Sequence, residues 1–350
     1  MPSTDRKVCI VGAGKVGSTL ALALHNKGYQ IVGVISRTAE SARRLADQLG
    51  CPFGTRPEAL TPAAEVVLIT TPDRAIAAVA KDIQARGGFT AGQLVAHTSG
   101  ATPAEVLAPA RASGAVAVSI HPLQSFADAE VALARLPGCY FGLEGDAAGI
   151  RRARRLVAAL EGIPIEIKPE HKALYHAAAC VASNYLVSVV HLAIAMLERC
   201  GLPRETALEA LRPLVDGTWN NIQEVGVVRA LTGPVARGDL PTLEWHLAAL
   251  GRFRPEFEEV YRVLGAYTAG VAQQQGAGEA LARETAALFR GALSPGQIPL
   301  PLVSGTTAAG PHQLRGDFGE DENQARNVSA SKRWRFSGQP IGGETNASTG

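Results

Sequence analysis

Three glycines in six positions, Gly12-x-Gly14-x-x-Gly17, interrupt the apolar run Val8 to Leu24. "KVCIV" before them reads as a buried strand, and "KVGSTLALALHNKG" after them has helical spacing and closes on Gly28. At such a crossover Gly12 permits a tight turn, Gly14 lets a pyrophosphate approach the backbone, and Gly17 lets helix and strand pack closely. The phosphates would lie on free N–H groups at the positive end of the helix dipole. Residues Gly12, Ala13, Gly14, Lys15, Val16 and Gly17 are therefore expected to hold a dinucleotide. The next strand, "YQIVGVIS", ends on Ser36-Arg37-Thr38, where an NAD site carries Asp or Glu for the ribose hydroxyl. A guanidinium between two hydroxyls suits a 2′-phosphate, which favours NADP over NAD. The plainer reading makes Arg37 a solvated loop residue and Thr38 a helix cap.

Other candidates fall at strand ends, where open α/β sheets bind ligands. Thr70, Thr71 and Pro72 close "EVVLITTP" and are expected to line the cofactor cleft. His97 and Ser99 lie in "AHTSGA", while His121, Gln124 and Ser125 lie in "SIHPLQSF". These five, with Asn184, are the candidate substrate contacts. Lys172 and His176 stand four residues apart on one helical face, and either could pass a proton near neutral pH if burial and mutual repulsion lowered its pKa. By a helical wheel Ser183 falls within about 20° of Lys172, and Asn184 about 120° away. His25 and His191 read as structural. No cluster has metal-ligand spacing, and "HTSGA" lacks the GxSxG form of a hydrolase elbow.

The elements that would position these groups alternate strand and helix to about residue 167. The expected fold is α/β, a doubly wound parallel Rossmann-like sheet over 1–167. An all-α domain over 168–292 and a disordered tail over 293–350 follow. "EHKALYHAAACVASNYLVSVVHLAIAMLERC" is a candidate helix of about 30 residues. It is apolar enough to raise a membrane span, but its Tyr, His, Ser and Asn residues favour the centre of a helical domain or a dimer interface. Further helices are expected over "PRETALEALRPL", around "TWNNIQEVGVVRAL", and in three later segments, with Asp239 capping one of them.

The 350 residues suffice for two domains, and a net charge of +2 gives no basic stripe, so no nucleic-acid partner is expected. Five scattered cysteines without a CxxC pair suit a reducing compartment, and the chain runs straight into a strand without a signal peptide. A cytoplasmic protein is expected.

"VGAGKVGSTLA", "ISRT", "LITTPD", "AHTSGA", "SIHPLQSF", "KALYHAAACVASNYLV" and "TGPVARGD" together resemble a bacterial family pairing a Rossmann-like NADP-binding domain with the helical domain called DUF2520. The likeness covers about residues 6 to 290. It extends to the group of pyrroline-5-carboxylate reductase, β-hydroxyacid dehydrogenases and 6-phosphogluconate dehydrogenase. That resemblance implies a helical domain of the 6-phosphogluconate dehydrogenase C-terminal type that mediates dimerisation and helps form the cleft. It also implies that Ser99 and Pro103 match a substrate loop, with His97 replacing its leading Asp. Lys172 would match a catalytic Lys, with His176 at the position of an Asn. The expected activity is NADP-dependent hydride transfer to or from a small carbonyl or imine, as in imine reductases. The rival is a non-catalytic NADP-binding regulator.

Overall fold

A computed structural model describes residues 5–291, and the expected tail lies outside them. Alternating strands and helices run β1 (Lys7–Val11), α1 (Lys15–Asn26), β2 (Gln30–Ile35), α2 (Ala39–Leu49), β3 (Phe53–Gly54), β4 (Val66–Ile69) and α3 (Asp73–Ala85). There follow β5 (Leu94–His97), α4 (Ala108–Ala112), β6 (Val116–Pro122), α5 (Ala129–Ala134), β7 (Tyr140–Gly145), α6 (Ala147–Ala159) and β8 (Ile163–Glu166). The strands form one sheet in the order β3-β2-β1-β4-β5-β6-β7-β8. Strand order reverses between β1 and β4, so the crevice for a ligand opens above these two strands. The sheet departs from the expected all-parallel form at one place, since β7 pairs antiparallel with β6.

Both faces of the sheet are covered, which explains strands that read as continuous apolar runs. On β1, Val8 and Ile10 pack with Leu20, Leu24, Leu45 and Leu156 on one side. Cys9 and Val11, a residue out of phase, pack with Ile76, Ile83 and Leu107 on the other.

The apolar run after Pro169 is helical, as α7 (Lys172–Cys180) and α8 (Leu186–Arg199) joined by a π-helical stretch over Val181–Tyr185. That stretch has a wider turn, so the wheel angles extrapolated from Lys172 to Ser183 and Asn184 do not carry across it. Pro169–Arg199 is long and apolar enough to cross a membrane by length and composition, and its apolar window is only 6% buried. Leu174, Val181, Leu186 and Val187 are exposed along it.

The chain divides into two compact units, Met1–Val215 and Asp216–Gly350. The division falls inside α9 (Arg204–Val225), one helix running through Pro213 where two segments are expected. It ends before Gly226, and "VGVVRAL" is not helical beyond its first Val. The second unit continues with α10 (Pro234–Arg237), α11 (Leu240–Phe253), α12 (Pro255–Gln275) and α13 (Glu279–Arg290). Asp239 caps α11 as expected, accepting from the Thr242 N–H. Leu243, Leu247, Ala266 and Phe289 form its core. Gly265 is what lets the Phe289 ring approach, because a Cβ there would meet it at 2.4 Å.

Candidate functional site

The glycine turn has three distinct geometries. Gly12 adopts φ +121°, and a Cβ on it would strike the Thr70–Thr71 backbone at 2.7 to 2.8 Å. On Gly17 a Cβ would lie 2.0 Å from the Gly12 carbonyl oxygen. Around Gly14 a Cβ would meet nothing within 4 Å. Two glycines thus serve packing, and the third leaves space at the helix N-terminus. Gly14 caps α1 without a side-chain hydrogen bond, and the first turn carries no acid. Such an end presents amide donors and a positive dipole. Ala13 and Val16 pack on the sheet core, while Lys15 is exposed.

The neighbouring groups fit a dinucleotide. Thr70 Oγ1 donates to the Gly12 carbonyl at 2.6 Å and fixes the turn. Thr71 Oγ1 is buried with no partner, and Pro72 stands exposed before α3. At the end of β2, Ser36 is half-buried and Arg37 exposed. Thr38 caps α2, accepting from the Ser41 N–H, so its hydroxyl is already used. Arg37 and Ser36 are the groups left for a 2′-phosphate.

A second cluster stands at the carboxyl ends of β5 and β6. Lys172 is 2% exposed, and its Nζ donates to the Ser119 hydroxyl at 2.7 Å and to the Ser99 carbonyl at 3.2 Å. Burial pulls its pKa down to about 8, while the Glu144 and Asp73 carboxylates pull upward. Ser119 Oγ in turn donates a hydrogen bond to the Ser99 carbonyl at 3.1 Å. The Ser99 hydroxyl donates to Asp73 Oδ2 at 2.7 Å and accepts the Thr102 N–H at 3.0 Å. Its side chain therefore ties the loop down instead of standing free.

His121 Nδ1 meets the Tyr175 hydroxyl at 2.9 Å, and the two rings lie edge to face. The His176 ring stands 5.8 Å from that of His121. Burial first, then His176 and Lys172, lowers His121 to about 4, so it is neutral at physiological pH. Gly100 sits against both imidazoles, for a Cβ there would meet His176 Cδ2 at 2.5 Å and His121 Nε2 at 2.8 Å.

Lys172, His176, Ser99 and His121 are thus gathered in one place, and other candidates are not. His97 is fully buried, with Nδ1 accepting the Ser99 N–H and Nε2 on the Pro103 carbonyl. Both nitrogens are spent on backbone, and burial holds its pKa near about 4, so it shapes the loop from behind. Gln124 donates to the Ala132 carbonyl, although its Oε1 is buried without a partner. Ser125 and Asn184 are exposed, and Asn184 lies in the π-helical stretch.

Sequence reasoning missed Ser119, Tyr175, Asp73 and Glu144 as members of the cluster. Ser119 stands two residues before His121 on one strand, hence on the same face, and that alternation is the signal that pointed to it. Asp73 closes the loop Thr70–Asp73 at a strand's carboxyl end, which was its signal, whereas Tyr175 left none comparable. Glu144 is buried and accepts the Ala104 N–H, which anchors the far side of the loop.

Residues 2–122 match the Rossmann-like domain family, and residues 139–268 match the domain of unknown function DUF2520. The chain joins a Rossmann-like domain to a DUF2520 domain. Among solved structures it is similar to a Bacteroides fragilis protein provisionally described as an NADP oxidoreductase, at 25% identity and TM-score 0.61, covering 77% of this chain and 98% of that one. Protein TM1727 of Thermotoga maritima gives 28% identity and TM-score 0.59, covering 77% and 99%. A reductive aminase of Aspergillus terreus, solved with NADPH and ethyl levulinate, shares the fold at 20% identity and TM-score 0.55, covering 80% and 98%. Glutamyl-tRNA reductase of Saccharolobus islandicus is 46% identical over 46 residues, 13% of this chain. The chain spans about 11% of the length of that curated relative.

Proposed function

We propose that the Rossmann–DUF2520 chain is an NADP-dependent oxidoreductase that transfers a hydride to or from a small carbonyl or imine substrate. The observation that carries this reading is the segment Thr70–Asp73. Its first residue bonds the glycine turn, and its last bonds the Ser99 loop. One short loop thus couples the expected phosphate site to the cluster of Lys172, His121 and His176. The fold shared with an NADPH-bound reductive aminase supports it, as does the 25% identical Bacteroides fragilis protein.

NADPH, when bound, supplies the hydride. Gly14 and the first-turn amides of α1 hold the diphosphate, Thr71 offers its unpaired hydroxyl, and Arg37 with Ser36 takes the 2′-phosphate. NAD would lack a partner for Arg37 and bind less well. Lys172 and His176 are the candidate proton donors, and geometry favours His176. Two of the three lysine N–H bonds run into the protein, whereas the half-buried His176 imidazole faces His121 and Gly100. The exposed apolar face of α7 and α8 is covered in a homodimer formed through the helical region, with residues 168–292 acting as the substrate and dimerisation domain. Five free thiols are in keeping with work in the cytoplasm.

A panel of small aldehydes, ketones and imines, followed by NADPH absorbance, tests the activity. Turnover of a defined member, lost in His176→Ala while NADPH still binds, supports the enzyme. Tight NADPH binding without turnover across the panel points instead to a regulator that uses the dinucleotide as a signal.

A further inference from the structure

His121 lies near the end of β6, and Gly142 stands directly across from it on β7. A Cβ at 142 would meet the Tyr175 hydroxyl at 2.7 Å, so the missing side chain is what admits the phenol from α7. That hydroxyl lies 2.9 Å from His121 Nδ1. The Gly142 backbone N–H faces the phenol oxygen, which leaves the O–H to point at the ring. A phenol is the better donor and an imidazole nitrogen the better acceptor, so Nδ1 accepts and the ring hydrogen sits on Nε2. Burial pushes Tyr175 up to about 12. Burial, then His176 and Lys172, pulls His121 down to about 4. Between those limits the pair keeps one arrangement, a neutral imidazole with its donor on Nε2.

That donor is left over for something else. Among the described residues, the sealed-in side-chain atoms without a partner belong to Glu58, Thr71, Gln124 and Thr285. His121 Nε2 is not one of them, and the bond to Tyr175 is made by the other nitrogen, so Nε2 reaches open space. It stands 2.8 Å from the place of a Gly100 Cβ, and His176 Cδ2 stands 2.5 Å from the same point. Cδ2 adjoins Nε2 in an imidazole, so both histidines turn the same edge toward the backbone that Gly100 leaves bare. His176 Nδ1 is turned to Cys180 Sγ at 3.9 Å, on the opposite side of its ring. The two rings are 5.8 Å apart and nearly perpendicular.

We propose that His121 is a catalytic residue whose Nε2–H hydrogen-bonds the reacting carbonyl oxygen or imine nitrogen, and that Tyr175 is the positioning residue that fixes this tautomer. The inference deepens the oxidoreductase reading and rests on it for the reaction. In the reducing direction the substrate carbon takes the hydride that a reduced nicotinamide supplies. The π electrons move onto the oxygen or nitrogen, which takes its proton from His176. His121 keeps its own proton throughout and acts by polarising the C=O or C=N bond as charge gathers there. A neutral donor suits a place beside His176 and Lys172, where a further positive charge would be repelled.

Two measurements on the full-length protein test this. In the first, ¹⁵N-labelled histidine rings are followed by two-bond ¹H–¹⁵N NMR from pH 5.5 to pH 9. The groups facing His121 are His176, Lys172 and Tyr175 from α7, Asp73 from α3 and His97 from β5, with Cys139 beside Tyr175. His121 is expected in the Nε2–H form at every pH, and Tyr175→Phe, which keeps the ring and removes the hydroxyl, is expected to admit the Nδ1–H form. The second measurement is turnover of an aldehyde, ketone or imine that the NADPH panel yields. His121→Leu is expected to lower kcat by about a hundredfold with KM little changed, and Tyr175→Phe by about tenfold. His121→Gln, whose amide N–H reaches toward the place of Nε2, recovers about tenfold of the loss in His121→Leu. An Nδ1–H or protonated His121 at pH 7 overturns the proposal, and so does turnover that survives His121→Leu. If His121→Leu does not fold, an unchanged tautomer or an unchanged kcat in Tyr175→Phe overturns it. Calorimetry with NADPH on the same sample separates the two failures. Binding and turnover with the wrong tautomer sink this proposal alone, whereas a wild-type chain that binds no NADPH or turns nothing over sinks the oxidoreductase reading and the role of His121 with it.

Discussion

The glycine turn and the Gly100 loop both lie at the upper edge of one sheet, yet they are built by opposite means. The turn at Gly12–Gly17 is local, since six consecutive residues and one threonine suffice to shape it. The Gly100 loop is assembled from afar, with Lys172 and Ser119 lying 73 and 20 residues away in the chain. The first device works by leaving side chains out, and the second by placing charged and hydroxyl groups behind a peptide. Phosphate can be met by dipoles alone, whereas a site that discriminates among small substrates needs directed donors.

Four perturbations separate packing from binding in these regions. Gly17→Val has the largest expected effect, because even the first added carbon lies on the Gly12 carbonyl. A stability loss of about 3 kcal/mol or more is expected by chemical denaturation, with NADPH binding lost as a consequence. Acid is next. His97 titrates near 6.5 when unfolded and near about 4 when folded. As pH falls from 6.5 toward 4 the unfolded chain takes up the proton first, so stability is lost in that window, by about 3 kcal/mol for this fully buried ring. Denaturation midpoints measured across pH 4 to 7 check this, and His97→Gln should make the curve shallower, with His121 contributing what remains.

Gly14→Val isolates binding. Its Cβ meets nothing, so stability should stay within about 1 kcal/mol of wild type while NADPH affinity falls by about a hundredfold. Comparable losses of stability and affinity would mean that Gly14, too, serves packing. The smallest effect is expected of Arg37→Asp, which should weaken NADPH by about tenfold and leave NADH little changed. Competition between the two dinucleotides measures that ratio directly.

What the sequence made legible follows the same division. The Rossmann-like fold, the glycine turn, the long helix after Pro169 and the Asp239 cap were all readable, because each depends on neighbours within one or two turns of chain. The antiparallel β7 was not, since strand direction is settled by pairing with β6 and by the helix packed upon it. Lys172 and His176 were identified as a pair on one helical face, and Ser99 and His121 separately, but how the four come together was not readable. His97 could from sequence contact a ligand or equally bond neighbouring backbone, and it makes the backbone bonds, to a loop whose path no local pattern specifies. The π-helical stretch defeated the helical wheel for Asn184, since one wider turn resets the phase of everything after it.

Isothermal titration of the purified chain with NADPH and then NADH asks whether the glycine turn and Arg37 together hold a dinucleotide. Saturable heat with NADPH at one site per chain, and a clearly weaker response to NADH, is the expected result. No heat with either dinucleotide at saturating concentration would contradict it.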